Sequence, residues 1–225
     1  LGLLRFYCKG YSGYGEKPYK SLNEPLLALQ RYFRGDIPDA ETIRRAHVGY
    51  YALISEMDDN IGRLLGTLEE LNLDSDTMVI YTSDHGEQLG HHGLWWKCCM
   101  FEESSHIPLI MRGPGVSKGD RIEAPVSLVD IYPTICEQMG VPVPDGIAGK
   151  SLLKLVENKE DAAREDFAFS EYHGHGMPSG AYMIRWKKWK YVYYAGHKPQ
   201  LFDLDADPNE DNDIVALGSS SPGID

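Results

Sequence analysis

The residues of this sequence that could carry out chemistry concentrate between positions 81 and 97. Asp84 and His85 are adjacent, and Lys97 follows twelve residues after His85. A carboxylate and an imidazole can bind one divalent cation, and a lysine beside a metal ion can hold a tetrahedral anion and offset the charge on its oxygens. The pattern therefore indicates a site for a sulfate or phosphate group.

The residues around this motif predict the elements that must position it. Residues 78–81 are apolar and rich in β-formers, which favours a short buried strand. Ligands of open α/β sheets bind just beyond the carboxyl ends of strands, and Gly86 allows the chain to turn sharply there. We expect this strand to run parallel to its sheet neighbours.

A long amphipathic helix is predicted over residues 39–72. Asp39 is a plausible N-cap after Pro38, and apolar residues then recur at steps of three and four. We expect this helix to cover the strand that ends at Asp84. A second buried strand at 107–111 and a helix from about Asp130 to Met139 complete the pattern of a wound α/β sheet.

The longer pattern resembles the sulfatase family of the alkaline-phosphatase-like superfamily. It is closest to the branch with Asp-His-Gly rather than Asp-Asn-Gly, which contains choline sulfatases, iduronate sulfatases and phosphonate monoester hydrolases. The resemblance covers roughly residues 38 to 215. It rests on segments in the family's order: 83–97 (SDHGEQLGHHGLWWK), 101–104 (FEES), 107–110 (IPLI), 112–116 (RGPGV), 126–135 (VSLVDIYPTI), 149–152 (GKSL) and 201–210 (LFDLDADPNE).

The resemblance implies roles for three residues. Asp84 and His85 match the family's metal ligands, with Ca²⁺ expected and Mn²⁺ possible, and Lys97 matches the lysine that contacts the sulfate ester. The family's nucleophile is a formylglycine made from Cys or Ser in Cys/Ser-x-Pro-x-Arg, and no such motif occurs in this sequence. The early metal-binding aspartates of the family are missing as well. The chain therefore resembles the C-terminal half of a sulfatase, and formylglycine is expected in the N-terminal half.

Histidines near the motif are further candidates for contact with the substrate. His91 and His92 lie between the metal pair and Lys97, and His173 and His175 lie in a Gly- and Pro-containing loop. A histidine could hydrogen-bond a sulfate oxygen or protonate the leaving alcohol, or these side chains could simply be solvated. We assign His92, His173 and His175 to substrate binding as expectations.

The sequence predicts a fold of the α/β class in which part of a wound sulfatase-type sheet is followed by a small C-terminal antiparallel β subdomain. Residues 1–37 are expected to be an irregular connecting segment, 38–164 the core, 165–217 the subdomain and 218–225 a polar tail. The subdomain is expected to be a meander of four strands, rich in aromatic and β-branched residues: 167–172, 181–186, 190–194 and 200–204. Its aromatic residues could stack on a sugar or pack within the sheet.

Composition narrows the classes of partner. The 225 residues carry 34 acidic and 22 basic side chains, a net charge of −12, which argues against binding to nucleic acid. No run of eighteen apolar residues predicts a membrane span. Four scattered cysteines favour free thiols and a cytoplasmic setting, although the compartment is left open.

The expected partners are a small sulfate ester or sulfated sugar and the N-terminal half of the same protein. The expected function is sulfuric ester hydrolysis. The alternatives are phosphonate or phosphate ester hydrolysis on the same scaffold, and a non-catalytic sulfatase-like chain.

Overall fold

The computed structural model describes residues 22–33, 39–158, 161–174 and 176–218. This part of the chain forms a two-stranded sheet and a four-stranded sheet, together with helices of very different lengths. The helices are α1 (Glu24–Phe33), α2 (Ala40–Glu70), α3 (Glu102–Ser105), α4 (Ile131–Gln138), α5 (Leu153–Asn158) and α6 (Ile214–Gly218). The strands are β1 (Val79–Thr82), β2 (Leu109–Arg112), β3 (Phe167–Tyr172), β4 (Ala181–Trp186), β5 (Trp189–Tyr194) and β6 (Gln200–Asp203).

The long helix α2 begins where the sequence predicts. Asp39 has an extended backbone, and its Oδ1 accepts a hydrogen bond from the Thr42 backbone N–H at 2.7 Å, which confirms the predicted N-cap. The helix lies against the two-stranded sheet, where the Tyr81 hydroxyl is 3.5 Å from Met57 Sδ. The guanidinium of Arg112 on β2 also pairs with Glu69 on α2 at 3.0 Å.

The predicted parallel pairing of β1 is wrong for the partner that the described residues provide. Strand β1 pairs with β2 in antiparallel register, with Val79 opposite Arg112 and Thr82 opposite Leu109. A parallel neighbour requires a crossover that returns the chain to the other end of the sheet. Residues 83–108 instead form a loop and the one-turn helix α3, so the chain re-enters the sheet at the end where β1 leaves it.

Helix α1 corrects the expectation that residues 1–37 are irregular throughout. Residues 24–33 contain no glycine, and Pro25 lies in the first turn, where the helix needs no backbone N–H. Leu26 and Leu29 are fully buried in the core that includes residues 98–101 and the four-stranded sheet, so packing stabilises this short helix. Residues 1–21 and 34–38 lie outside the described residues.

The four-stranded sheet confirms the predicted antiparallel meander, in the order β3-β4-β5-β6. One face is buried against residues 98–101 and α1, and it includes Ala181, Met183, Val192 and Phe202. The opposite face carries exposed apolar side chains: Phe167, Phe169, Ile184, Trp186, Tyr191 and Tyr193. The sheet therefore shares a core with the region that precedes it.

A buried ion network joins this sheet to α3. Lys190 is completely buried, and its Nζ lies 2.7 Å from Glu102 Oε1 and 2.9 Å from Glu210 Oε1. Glu210 Oε2 also accepts a hydrogen bond from the Glu102 backbone N–H at 2.6 Å. The network fixes the position of α3, because each carboxylate satisfies part of the buried ammonium.

The cysteines of the described residues agree with the predicted free thiols. Cys98, Cys99 and Cys136 are buried and not in disulfides. In the part of the chain that the structure describes, no helix has the length and apolar character needed to cross a membrane.

Candidate metal and anion site

The candidate site lies in the turn that follows β1. Asp84 Oδ1 accepts a hydrogen bond from the His85 backbone N–H at 3.0 Å, and Ser83 Oγ donates to the His85 carbonyl at 2.7 Å. These bonds place Asp84 Oδ2 at 3.4 Å from His85 Nε2. The two predicted metal ligands therefore converge, as the sequence predicts.

The hydrogen bonds of His85 determine which ring nitrogen faces Asp84. His85 Nδ1 lies 2.9 Å from the Gly86 carbonyl oxygen, which can only accept, so Nδ1 carries the proton. The lone pair is then on Nε2, and Lys97 Nζ lies 2.5 Å from that nitrogen. The structure therefore brings Asp84, His85 and Lys97 together at one point.

Asp84 remains ionised at neutral pH. Desolvation acts to raise the pKa of Asp84, but the adjacent His85, hydrogen bonds from backbone N–H groups and the charge on Lys97 hold this pKa below its ordinary value. The carboxylate is mostly exposed and accessible to an ion from solvent.

This donor set fits a divalent cation. The carboxylate Oδ2 and the unprotonated Nε2 are both electron-pair donors, and their separation of 3.4 Å lets one ion contact both. Two protein ligands are fewer than Ca²⁺ uses, so further ligands must come from elsewhere. A side chain at position 86 would not fit the turn, because its Cβ would lie 1.9 Å from the Glu103 carbonyl oxygen.

Glu87 is a positioning residue that the sequence pattern did not identify. Its Oε1 accepts hydrogen bonds from the backbone N–H groups of Leu89 at 3.0 Å and Trp96 at 2.7 Å. The Gln88 backbone N–H also donates to the Trp96 carbonyl at 2.7 Å. These bonds close the loop between His85 and Lys97, so that Lys97 lies close to Asp84 and His85. Sequence spacing gave only the weak signal of a carboxylate two residues after His85.

The structure places His92 in the loop interior. Its side chain is 7% exposed, and its ring centroid lies 3.9 Å from that of His91 and 4.1 Å from that of Phe101. Burial lowers the pKa of His92 to about 3, with a smaller contribution from the neighbouring His91. The ring is therefore neutral at physiological pH, and its burial favours a role within the loop over contact with a substrate.

The other predicted histidines lie after β3. His173 is half-exposed, its Nε2 is 3.3 Å from Glu171 Oε2, and its ring packs edge-on against Tyr182. None of these contacts joins His173 to the turn at Asp84. His175 lies outside the described residues. The assignment of His173 and His175 to a substrate stays a prediction.

Comparison with known proteins identifies the family. A family model described as Sulfatase matches residues 7–141, and a model described as N-sulphoglucosamine sulphohydrolase, C-terminal, matches residues 90–221. The chain is 41% identical to arylsulfatase K of Danio rerio over 182 residues, which are 78% of this chain and 35% of that protein. It spans about a third of the length of the curated relatives it matches.

Solved structures agree with this result. One protein, solved in complex with its substrate D-glucosamine-2-N,6-O-disulfate, is 34% identical with a TM-score of 0.68, over 75% of this chain and 36% of that one. The phosphonate monoester hydrolase of Agrobacterium radiobacter is 32% identical with a TM-score of 0.68, over 76% of this chain and 37% of that one. With the ordered motifs and the converging Asp84, His85 and Lys97, these matches show that the chain belongs to the sulfatase family.

Proposed function

We propose that this chain supplies the anion-binding lysine and part of the metal site of a sulfuric ester hydrolase. The observation that carries the proposal is the convergence of three side chains at His85 Nε2. Asp84 Oδ2 lies 3.4 Å from this nitrogen, and Lys97 Nζ lies 2.5 Å from it. Each group suits a tetrahedral anion held beside a cation.

Each residue has a distinct part in this proposal. Asp84 and His85 would bind the divalent cation, for which we propose Ca²⁺ before Mn²⁺ because the resemblance to the sulfatase family implies calcium. A cation held by these two residues would supply Lewis-acid polarisation of the ester oxygens. The Lys97 ammonium contacts the sulfate group and offsets charge on its equatorial oxygens as sulfur is attacked.

We propose that the nucleophile comes from outside this chain. The sequence contains no Cys/Ser-x-Pro-x-Arg motif from which formylglycine could form. We propose that the N-terminal part of the protein provides the formylglycine and the remaining metal ligands. The exposed apolar side chains of α2 favour such an arrangement, since Val48, Leu53 and Leu64 are more than half exposed and the helix has no buried residue.

The proposed substrate is a small sulfate ester or a sulfated sugar. Support comes from a relative named arylsulfatase K and from the neighbour that was solved with a sulfated glucosamine. A phosphonate or phosphate monoester is the second candidate, because the likeness to a phosphonate monoester hydrolase extends over 76% of this chain. Both ester classes are tetrahedral anions that Asp84, His85 and Lys97 could hold.

The test is hydrolysis of paired aryl esters by the full-length protein that contains this chain. The substrates are 4-nitrophenyl sulfate and 4-nitrophenyl phenylphosphonate, each measured with saturating Ca²⁺ or Mn²⁺. A larger kcat/KM for the sulfate supports the proposed function, and a larger value for the phosphonate supports the second candidate. Hydrolysis of neither ester, nor of a panel of sulfated monosaccharides, would favour the non-catalytic alternative.

A further inference from the structure

A second group of side chains of types that can bind a metal ion lies in the loop and helix after Asp84 and His85, and it includes neither of them nor Lys97. His91, His92 and Glu103 each offer one ligand atom, and these atoms all lie within 4.8 Å of one another. We propose that His91, His92 and Glu103 form a second divalent metal site, suited to Zn²⁺, that holds the 91–93 turn against α3.

The backbone holds the two imidazoles in place. His91 and His92 lie in a single 3-10 turn between Gly90, with φ of 91°, and Gly93, with φ of 69°. His92 itself has φ of 52°, a left-handed conformation that a non-glycine residue adopts at a cost in free energy. The strained turn persists because its backbone is fixed by hydrogen bonds from Gly90 N–H to Leu94 and from Gly93 N–H to Gly90.

The side chains of the cluster are enclosed as well as close together. The exposed fraction is 12% for His91, 13% for Glu103 and 7% for His92. His91 Nδ1 lies 2.8 Å from Glu103 Oε1, and the His92 ring packs at a tilt against the rings of His91 and Phe101. Little rotamer freedom is therefore lost on binding an ion, which is the condition for a preorganised site.

The ligand atoms of the cluster, two imidazole nitrogens and one carboxylate oxygen, determine which metal ion it prefers. Zn²⁺ binds imidazole nitrogen and carboxylate oxygen at about 2.0–2.2 Å in tetrahedral geometry, so two ligands of one ion lie about 3.5 Å apart. The ligand atoms of the cluster lie within 4.8 Å of one another, and small side-chain rotations would bring them to the tetrahedral spacing. Two nitrogens and one oxygen do not suit Ca²⁺, which prefers oxygen ligands, so this site and the Asp84–His85 pair are expected to select different ions.

The position of the cluster indicates a structural role. Glu103 lies on α3, and the next residue, Ser104, accepts a hydrogen bond from the Gly86 backbone N–H at 2.9 Å. An ion that joins Glu103 to the 91–93 turn would therefore help to hold the segment between His85 and Lys97 against α3. The burial of the cluster favours this role over hydrolysis at the zinc ion.

Zinc binding by the full-length protein tests the proposal without reference to catalysis. The protein is stripped with a chelator and titrated with ZnCl₂ in competition with a chromophoric chelator. Four variants are compared: His91→Gln, Glu103→Gln, Asp84→Asn and His197→Gln. The last is a matched control, because His197 Nδ1 also lies near a carboxylate, 3.5 Å from Glu24 Oε2.

The expected result is one Zn²⁺ per chain in the wild type, in Asp84→Asn and in His197→Gln. The His91→Gln and Glu103→Gln proteins are expected to bind Zn²⁺ at least about 100-fold more weakly, because each loses one of three ligands. No zinc binding by the wild type, or equal binding by all variants, would overturn the proposal. Loss of the zinc in Asp84→Asn would also overturn it, because the ion would then occupy the first site.

A measurement on the wild type alone tests the ligand set independently of whether the variants fold. X-ray absorption at the zinc edge is expected to show two imidazole ligands and at least one oxygen ligand. A spectrum without imidazole scattering, or with sulfur ligands from the buried cysteines, contradicts the proposed ligand set.

Discussion

At the scale of single residues, the proton on His85 decides how the candidate site works. The Gly86 carbonyl accepts from Nδ1, which leaves Nε2 to face Asp84 and Lys97. Three groups thus meet at a point that a metal ion and an anion can share. The roles of these side chains can be tested in the full-length protein that contains this chain.

Replacement of Lys97 by alanine is expected to lower kcat/KM for a sulfate ester by roughly 10²–10³, the scale of removing one donor that stabilises developing charge. Because Lys97 is exposed, the melting temperature should hardly change. Steady-state kinetics and scanning calorimetry measure the two effects, and Lys118→Ala, at another exposed lysine, is the control. Unchanged kinetics in Lys97→Ala would refute the assigned role.

Replacement of Asp84 by alanine is expected to weaken Ca²⁺ binding at least about tenfold, because affinity depends on the number of carboxylate ligands. Isothermal titration calorimetry of wild type and variant measures the change. The 225-residue chain by itself should bind Ca²⁺ poorly, since it contributes only two ligands to the proposed site. Tight stoichiometric binding that is indifferent to Asp84→Ala would place the calcium elsewhere.

At the scale of elements, hydrogen bonds and ion pairs hold the loop between β1 and α3 in place. Glu87 binds two backbone N–H groups of this loop, and the buried Lys190 holds α3 between Glu102 and Glu210. The position of Lys97 therefore depends on groups that do not touch the anion.

The loop contacts of Glu87 predict a difference between two substitutions. Glu87→Gln keeps an oxygen that accepts from Leu89 and Trp96, whereas Glu87→Ala leaves both N–H groups without this partner. We expect Glu87→Ala to lower kcat/KM about tenfold or more through misplacement of Lys97, and Glu87→Gln to retain most of the activity. Equal losses in the two variants would instead indicate that the charge of Glu87 acts directly.

The ion network predicts a pH dependence of stability. Burial raises the pKa of Glu210 from 4.5 to about 7, against the opposing effect of Lys190. The carboxyl group of Glu210 therefore binds its proton more tightly in the folded state than in the unfolded state. The resulting stabilisation is full below about pH 4.5 and is lost as the pH rises through about 7, a change of up to about 3 kcal/mol.

Melting temperatures of wild type and Glu210→Gln, measured from pH 4.5 to 8, test this effect. The difference between the two proteins should vary with pH in that window, because the amide cannot titrate. Glu123→Gln, at an exposed site, is the control and should follow the wild type. A pH-independent difference between wild type and Glu210→Gln would show that Glu210 is ionised throughout.

At the scale of the whole molecule, the described part of the chain leaves a large apolar surface uncovered. Helix α2 has 31 residues, none of them buried, and Val48, Leu53 and Leu64 are exposed along it. A surface of this kind on a soluble protein marks a contact with another segment or partner. We propose the N-terminal part of the same protein as that partner.

The isolated chain of 225 residues is accordingly expected not to hydrolyse aryl sulfates, while the full-length protein should be active. Leu53→Lys in α2 is expected to lower the yield of folded full-length protein, whereas Leu217→Lys, an exposed leucine on α6, should not. Activity assays and size-exclusion chromatography measure these outcomes. Activity of the isolated chain would mean that a nucleophile lies within it, and Ser83, Cys98 and Ser104 would then be the candidates.

Several elements were predictable because local patterns determine them. Short segments rich in aromatic and β-branched residues, separated by turn residues, predicted all four strands β3–β6. The three- and four-residue steps after Asp39 predicted α2. Helix α1 was not predicted, because its ten residues are stabilised by burying Leu26 and Leu29 against distant segments. The positioning roles of Glu87 and Lys190 were not predicted, because their hydrogen-bond and ion-pair partners come close only when the loop closes and the chain folds.

The sequence by itself determined the family, the places of the long helix α2, of helix α4 and of the six strands, and the three residues that meet at the candidate site. These follow from local motifs whose residue types are fixed by the chemistry of a cation and a tetrahedral anion. Only the tertiary structure decided that β1 and β2 are antiparallel, that His92 is buried rather than exposed beside Lys97, and that His91, His92 and Glu103 cluster. Strand direction, burial and side-chain convergence depend on contacts between residues distant in sequence, and no local pattern encodes them.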